Sequence, residues 1–201
     1  EIVEVCRENT DANRAVNGAD LVIPDGIGVI YGAKILGTPL KQKIPGIEFA
    51  ERLMEQMAAA KKSLYLLGAK PGIAEQAAVC LSKRYPGLVI AGTHDGYFQE
   101  DESVVKEIHD SGADVVFVCL GAPKQELWME KNGAATGAHL LLGLGGSLDV
   151  FAGVVQRAPK IFQKTGMEWF YRLLKQPSRV GRMMRLPLFL LHAMHSKGGR
   201  R

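Results

Sequence analysis

The chain has 201 residues, 47% of them hydrophobic, enough for one sizeable α/β domain with an appendage and a core that needs no disulfide. Cys6, Cys80 and Cys119 are widely spaced with no Cys-x-x-Cys pair, which argues against a disulfide framework and a zinc site and for a reducing cytosol. The net charge is a modest +4, and no signal peptide or spanning helix is expected, since the apolar run from Leu186 to Leu191 contains Pro187 and is too short for a bilayer.

Glu1 to Asn9 read as a helix already under way, with Ile2, Val5 and Cys6 on one face, so the chain is read as starting in the middle of a domain. Leu21 to Ile23 read as the first strand. Pro24 then ends the ladder, Asp25 stands at a helix N-cap position, Gly26 relaxes the turn, and a helix runs from Gly26 to Leu36. After a polar loop from Thr38 to Pro45, a helix spans Ile47 to Ala60 with Phe49, Leu53, Met54 and Met57 as its apolar stripe. Ser63 to Leu67 form a strand, Gly68 to Gly72 a turn, and a helix continues through Arg84. Leu88 to Ala91 form the next strand, Gly92 to Phe98 a loop, and Asp101 to Ser111 a helix. Asp114 to Leu120 are a buried strand, with Cys119 as a small buried hydrophobe. Gly121 to Glu126 turn into another helix, and His139 to Leu144 form the last strand before Gly145-Gly146-Ser147-Leu148-Asp149.

Strands alternating with helices, several of them continuously apolar, predict a Rossmann-like α/β fold: a largely parallel sheet with helices on both faces. Past Gly153 the composition changes. From Arg157 onward Lys or Arg recurs at 157, 160, 164, 172, 175, 179, 182, 185, 197, 200 and 201 against a single acid, Glu168. Trp169, Phe170, Leu173 and Leu174 recur at helical spacing, and Pro177 interrupts the segment. The chain therefore divides into a Rossmann-like domain over 1–153 and a basic, amphipathic helical appendage over 154–201.

Chemistry is expected at the carboxyl ends of the strands, where open α/β sheets bind ligands. Asp25 is an acid at such an end, with an ordinary helix cap as the alternative. The loop holding Gly68 and Lys70 opens a helix and suits an anion such as a phosphate, although a plain βα turn fits equally. Gly145 gives the backbone freedom for close approach to a ligand, as would a crowded strand end. Thr93-His94-Asp95 reads as a turn rather than an acid–base pair. Gln125 and Glu126 place polar groups at a helix start after a strand. The sequence has no metal-ligand spacing, no Asp-x-Asp pair, no dinucleotide fingerprint and no nucleophile elbow.

Several stretches together resemble one family. Pro24-Asp25-Gly26-Ile27-Gly28, Leu67-Gly68-Ala69-Lys70-Pro71-Gly72, Gly92-Thr93-His94-Asp95-Gly96-Tyr97-Phe98, Leu120-Gly121-Ala122-Pro123-Lys124-Gln125-Glu126, Gly145-Gly146-Ser147-Leu148-Asp149, Arg157-Ala158-Pro159 and Glu168-Trp169-Phe170-Tyr171-Arg172-Leu173 follow in this order. The set looks like the WecG/TagA/CpsF glycosyltransferases and covers essentially the whole chain.

The resemblance implies an inverting, metal-independent, cofactor-free transferase. It would move N-acetylmannosamine or a related sugar from a UDP-sugar donor to an undecaprenyl-diphosphate-linked acceptor for cell-surface polymers. It implies Asp25 as the base, Gln125 and Asp149 as pocket residues, and Arg172, Arg179 and Arg182 as appendage arginines that close over the site and meet phosphate. Lys43 stands where the family usually has Arg, keeping the charge but losing the bidentate fork. The resemblance also implies a further strand–helix unit at the start of family members, so the 201 residues are read as a partial chain.

With no Asp-x-Asp pair, Lys43 and the tail arginines are the cations expected to meet the leaving diphosphate. A carboxylate at a helix start is a weak base, so proton transfer is expected late, after the bond to the sugar is well advanced. The tail is also expected to hold an anionic membrane, with Trp169, Phe170 and Phe189 as anchors and on the order of 1 kcal/mol per basic residue near the leaflet. This places the protein in the cytoplasm, peripheral on the inner face of the bacterial plasma membrane, with self-association among its expected partners and nucleic acid not. Two other functions stay open on the sequence: a non-catalytic membrane-bound UDP-sugar binder, and a different nucleotide-dependent Rossmann-like enzyme.

Overall fold

The computed structural model describes residues 2–175, 181 and 185–198, apart from the side chains at 164, 172, 197 and 198. In chain order the elements are α1 (Ile2–Glu8), α2 (Thr10–Asn17), α3 (Ile27–Ile35), α4 (Gly46–Ala59), β1 (Ser63–Gly68), α5 (Ile73–Arg84), β2 (Val89–His94), α6 (Asp101–Ser111), β3 (Val115–Cys119), α7 (Lys124–Asn132), β4 (Leu140–Gly143), α8 (Ser147–Phe151), α9 (Lys160–Lys164), α10 (Glu168–Lys175) and α11 (Arg185–Gly198). They fall into two compact units, one of residues 14–19 and 47–156, the other of residues 2–13, 20–46 and the described chain from 157 onward.

In the first unit the four strands form one parallel sheet in the order β2-β1-β3-β4. Successive side chains of a strand point to opposite faces, and here both faces are covered. Leu64, Leu66, Phe117 and Cys119 point into a core with Met54 of α4, Ala77 and Leu81 of α5 and Leu148 of α8. Tyr65, Leu67, Val116 and Val118 point the other way, onto Val104 and Ile108 of α6 and Trp128 of α7. This two-sided burial is why the strands read as unbroken apolar runs. Phe117 is fully buried, a burial that contributes about 1.5–3 kcal/mol for a side chain of this kind. The Rossmann-like expectation of a parallel sheet between two helical layers is therefore met.

β2 is longer than expected and takes in Gly92, Thr93 and His94, which read as loop. The ladder continues because Tyr65, Leu66 and Leu67 of β1 pair with Gly92, Thr93 and His94, past a register shift that leaves Ala91 extra. A Cβ on Gly92 would lie 2.5 Å from the Tyr65 ring. Glycine there is a seat for an aromatic cross-strand neighbour rather than a loop signal.

The second unit carries the other differences. Leu21 to Ile23 are not a strand: the stretch has no ladder partner among the described residues, and Leu21 and Val22 are 69% and 62% exposed. An apolar run specifies a strand only where a neighbour exists to pair with it. The unexpected α2 has a readable start, since the Asn9 carboxamide accepts the Ala12 N–H at 2.9 Å in N-cap geometry.

α11 packs on α3. Gly28 and Gly32 lie one turn apart on α3; a Cβ on Gly28 would meet Leu186 at 2.2 Å, and one on Gly32 would meet the Phe189 ring at 2.6 Å. Phe189, expected as a membrane anchor, thus rests its ring on α3. The exposed apolar side chains of α10 and α11 are Trp169, Leu174, Leu188, Leu191 and Met194. The buried Glu4 carboxylate joins α1 to α11 through His192 Nδ1 at 2.9 Å. Pro177, Arg179 and Arg182 lie outside the described residues. Among the described residues no helix is long and apolar enough to cross a membrane.

Candidate active site

The chain leaves β1 toward β2 on one side of the sheet and β3 toward β4 on the other, so the winding reverses between β1 and β3. The crevice beyond the carboxyl ends of those strands is the ligand position of such a sheet. Four loops surround it. After β1, Gly68 (φ +127°) brings the backbone against β3: a Cβ there would lie 2.4 Å from the Cys119 carbonyl oxygen. The loop continues through Ala69 (φ +62°) and the exposed Lys70 to Gly72 (φ +84°), which caps α5. The Ala69 N–H donates to Cys119 O at 3.3 Å, and its carbonyl accepts the Gly96 N–H at 2.9 Å.

After β2 the turn is held by the Asp95 carboxylate, which accepts the Tyr97 N–H at 2.7 Å, while His94 Nδ1 lies 2.8 Å from Asp95 O. His94 meets the Phe98 ring edge-on, Lys124 Nζ sits 4.8 Å above that ring and donates to Gly96 O at 3.0 Å, and Tyr97 is exposed. After β3 come Gly121 (φ +78°), a cis Ala122–Pro123 bond and the buried Gln125. After β4 come Gly145 (φ +54°), Gly146 and α8, with Asp149 half-buried. Nothing stands within 4 Å of where a Cβ would sit on Gly72, Gly121 or Gly145. All three adopt backbone that favours glycine and face open space. Beneath the rim, burial pushes the Cys119 thiol up to about 12, with the Asp149 charge adding to the rise.

In the other unit the Asp25 carboxylate does not cap its own helix. Gly26 is the N-cap residue of α3 and makes no side-chain cap bond. Asp25 Oδ2 instead accepts the N–H of Gly46, which opens α4, at 3.0 Å, and Ile44 N–H donates to Pro24 O at 2.9 Å. Asp25 remains exposed. Lys43 Nζ lies 2.8 Å from Glu168 Oε2 at the start of α10, and Arg157 Nε lies 3.8 Å from Glu168 Oε1. One carboxylate is thus shared by two cations.

Compared with known proteins, residues 1–201 match the glycosyl transferase WecG/TagA/CpsF family. The chain belongs to this family. It is similar to the N-acetylglucosaminyldiphosphoundecaprenol N-acetyl-beta-D-mannosaminyltransferase of Bacillus spizizenii, at 36% identity over 183 residues, which covers 91% of this chain and 71% of the relative. It is also similar to the protein of the same name from Staphylococcus aureus strain MRSA252, at 37% identity over 198 residues, 98% of this chain and 78% of the relative. This family member is therefore a glycosyltransferase.

Of the residues singled out in the sequence, Gly68, Lys70, Gln125, Gly145 and Asp149 lie on the rim of the parallel sheet, while Asp25 and Lys43 belong to the other unit. Arg172 lies in α10, its side chain outside the described set, and Arg179 and Arg182 lie outside the described residues altogether. Sequence reasoning missed Gly121 and Lys124 as rim groups, although both stand in a quoted stretch. It also missed Glu168 as the partner of Lys43, because a contact across 125 positions leaves no local pattern.

Proposed function

We propose that this glycosyltransferase moves N-acetylmannosamine from UDP onto an undecaprenyl-diphosphate-linked N-acetylglucosamine, with inversion and without a metal. The observation that carries the reading is the pair of relatives at 36% and 37% identity, whose printed name specifies that acceptor and that sugar. The open glycine rim supports it: a diphosphate needs backbone that can approach closely, and Gly72, Gly121 and Gly145 face open space.

In the proposed step the acceptor hydroxyl oxygen attacks the anomeric carbon, the bond from that carbon to the β-phosphate oxygen breaks, and UDP leaves with the electron pair. The hydroxyl proton passes to the Asp25 carboxylate. An exposed carboxylate that accepts one backbone N–H keeps lone pairs for that proton. Charge on the leaving diphosphate is met by Lys43, Lys70 and the arginines Arg172, Arg179 and Arg182. Gln125 and Asp149 belong to the pocket. Residues 1–153 carry the chemistry, and residues 154–201 rest on the anionic inner leaflet and close over the site. The basic run from Arg157 and the exposed Trp169, Leu174, Leu188, Leu191 and Met194 favour that placement.

The test is transfer by the full chain from UDP-N-acetylmannosamine to a lipid-linked N-acetylglucosamine diphosphate, with and without EDTA. Equal product in both arms, of inverted anomeric configuration, is expected. Transfer abolished by EDTA and restored by a divalent ion contradicts the side-chain-cation mechanism, and nucleotide binding without transfer favours a binding protein.

A further inference from the structure

We infer that Gln125 is a positioning residue that clamps the loops after β3 and β4 into a single rim; as a statement about transfer, this rests on the function proposed above. Gln125 is buried, and its side-chain carbonyl Oε1 accepts two backbone N–H groups, that of Gly121 at 3.2 Å and that of Gly145 at 2.9 Å. Its amide Nε2 donates to Glu126 Oε1 at 2.9 Å. The partners fix the amide orientation: two N–H groups require an acceptor at one end and a carboxylate requires a donor at the other, and the uncharged carboxamide supplies both.

The two clamped residues are not interchangeable with others. Gly121 and Gly145 both have left-handed φ, and nothing stands within 4 Å of where a Cβ on either would sit. β3 and β4 are neighbours in the sheet, and each loop leaves its strand end through glycine. Without a cross-brace, two such glycines give the rim many backbone conformations, and a ligand would have to order them on binding. Gln125 supplies that order beforehand. The fold makes room for it at Gly143, where a Cβ would lie 2.9 Å from Gln125 Nε2. The acceptor Oε1 and one of the two Nε2 N–H groups are thus engaged within the protein, and the clamp's effect on a bound nucleotide runs through the Gly121 and Gly145 backbone.

The experiment compares the full-length wild type with Gln125→Met and Gln125→Glu, by amide hydrogen exchange of the free protein and by calorimetric titration with UDP. Gln125→Met keeps the volume and removes the acceptor; Gln125→Glu keeps the acceptor and removes the donor to Glu126. The Gly121 and Gly145 amides of Gln125→Met are expected to exchange about fivefold faster each, the worth of one ordinary hydrogen bond. Leu66 and Phe117 in the sheet should be unmoved, and the UDP dissociation constant should rise. Gln125→Glu should retain protection at both glycines and recover part of the affinity. Weaker UDP binding with unchanged glycine exchange would make Gln125 a direct ligand contact and overturn the inference. So would faster exchange spread evenly over Leu66 and Phe117, which is global loosening. A wild type that fails to bind UDP strikes the transferase reading, while the exchange comparison still decides the clamp.

Discussion

Gly68 is the position where one added methyl group tests the geometry of the sheet's switch point most severely. In Gly68→Ala the new Cβ would sit 2.4 Å from the Cys119 carbonyl oxygen, 2.5 Å from its carbonyl carbon and 2.9 Å from its Cα. All three are backbone atoms of a central strand, so no side chain can swing aside. The residue also keeps φ at +127°, a conformation that costs an L-residue about 1–3 kcal/mol. Overpacking against an ordered core adds about 1–3 kcal/mol. Together these give an expected loss of about 2–6 kcal/mol, a large share of the 5–15 kcal/mol typical of a domain. Gly145→Ala is the control, with left-handed φ but no clash, and should lose only about 1–2 kcal/mol. Urea denaturation with linear extrapolation reads both. Equal losses in the two variants, or a Gly68→Ala protein as stable as wild type, would refute the close approach of β1 to β3.

Two further outcomes follow from the described interactions. The Asp114 carboxylate accepts Lys62 Nζ at 2.8 Å, the Ser63 N–H at 2.8 Å and the Ser63 hydroxyl at 2.9 Å, and these bonds, Lys62 first, hold it well below the ordinary carboxylate range. Because its folded value is depressed, its stabilisation is present above the unfolded value near 4 and is lost as pH falls toward the folded one; Asp114→Asn should flatten stability against pH below about 4, and an unchanged acid limb would contradict the assignment. Cys119, with its thiol pushed up to about 12 by burial, should resist iodoacetamide at pH 8 in the folded protein and react once urea unfolds it. Labelling of Cys119 as fast as that of a free thiol in the native state would contradict its burial.

The sheet was legible because its strands are buried on both faces and its helices carry clear stripes: α6 falls at Asp101–Ser111 as expected, and β1 and β3 differ from expectation by a residue or two. Glycine was harder to interpret. Gly92 punctuates nothing and instead admits the Tyr65 ring, while Gly28 and Gly32 admit Leu186 and Phe189. These roles depend on what lies opposite in space, which the linear pattern does not carry. The same reason explains Asp25. Its neighbours Pro24 and Gly26 suggested a cap on the following helix, yet its carboxylate bonds to Gly46, 21 positions away. The glycine loops at the strand ends were visible as candidates, but the side chain that ties two of them together was not. Only the register of β3 and β4 brings Gly121 and Gly145 to one carboxamide.

Asp25 is the proposed base for the acceptor hydroxyl. The most direct measurement is the single-turnover rate of sugar transfer by Asp25→Asn against wild type at saturating donor and acceptor. Asparagine keeps the size and an acceptor for the Gly46 N–H but cannot act as the base. A fall in rate by about 10²–10⁴, the usual worth of a general base, is expected with UDP affinity unchanged. Transfer at the wild-type rate in Asp25→Asn would remove Asp25 from the chemistry.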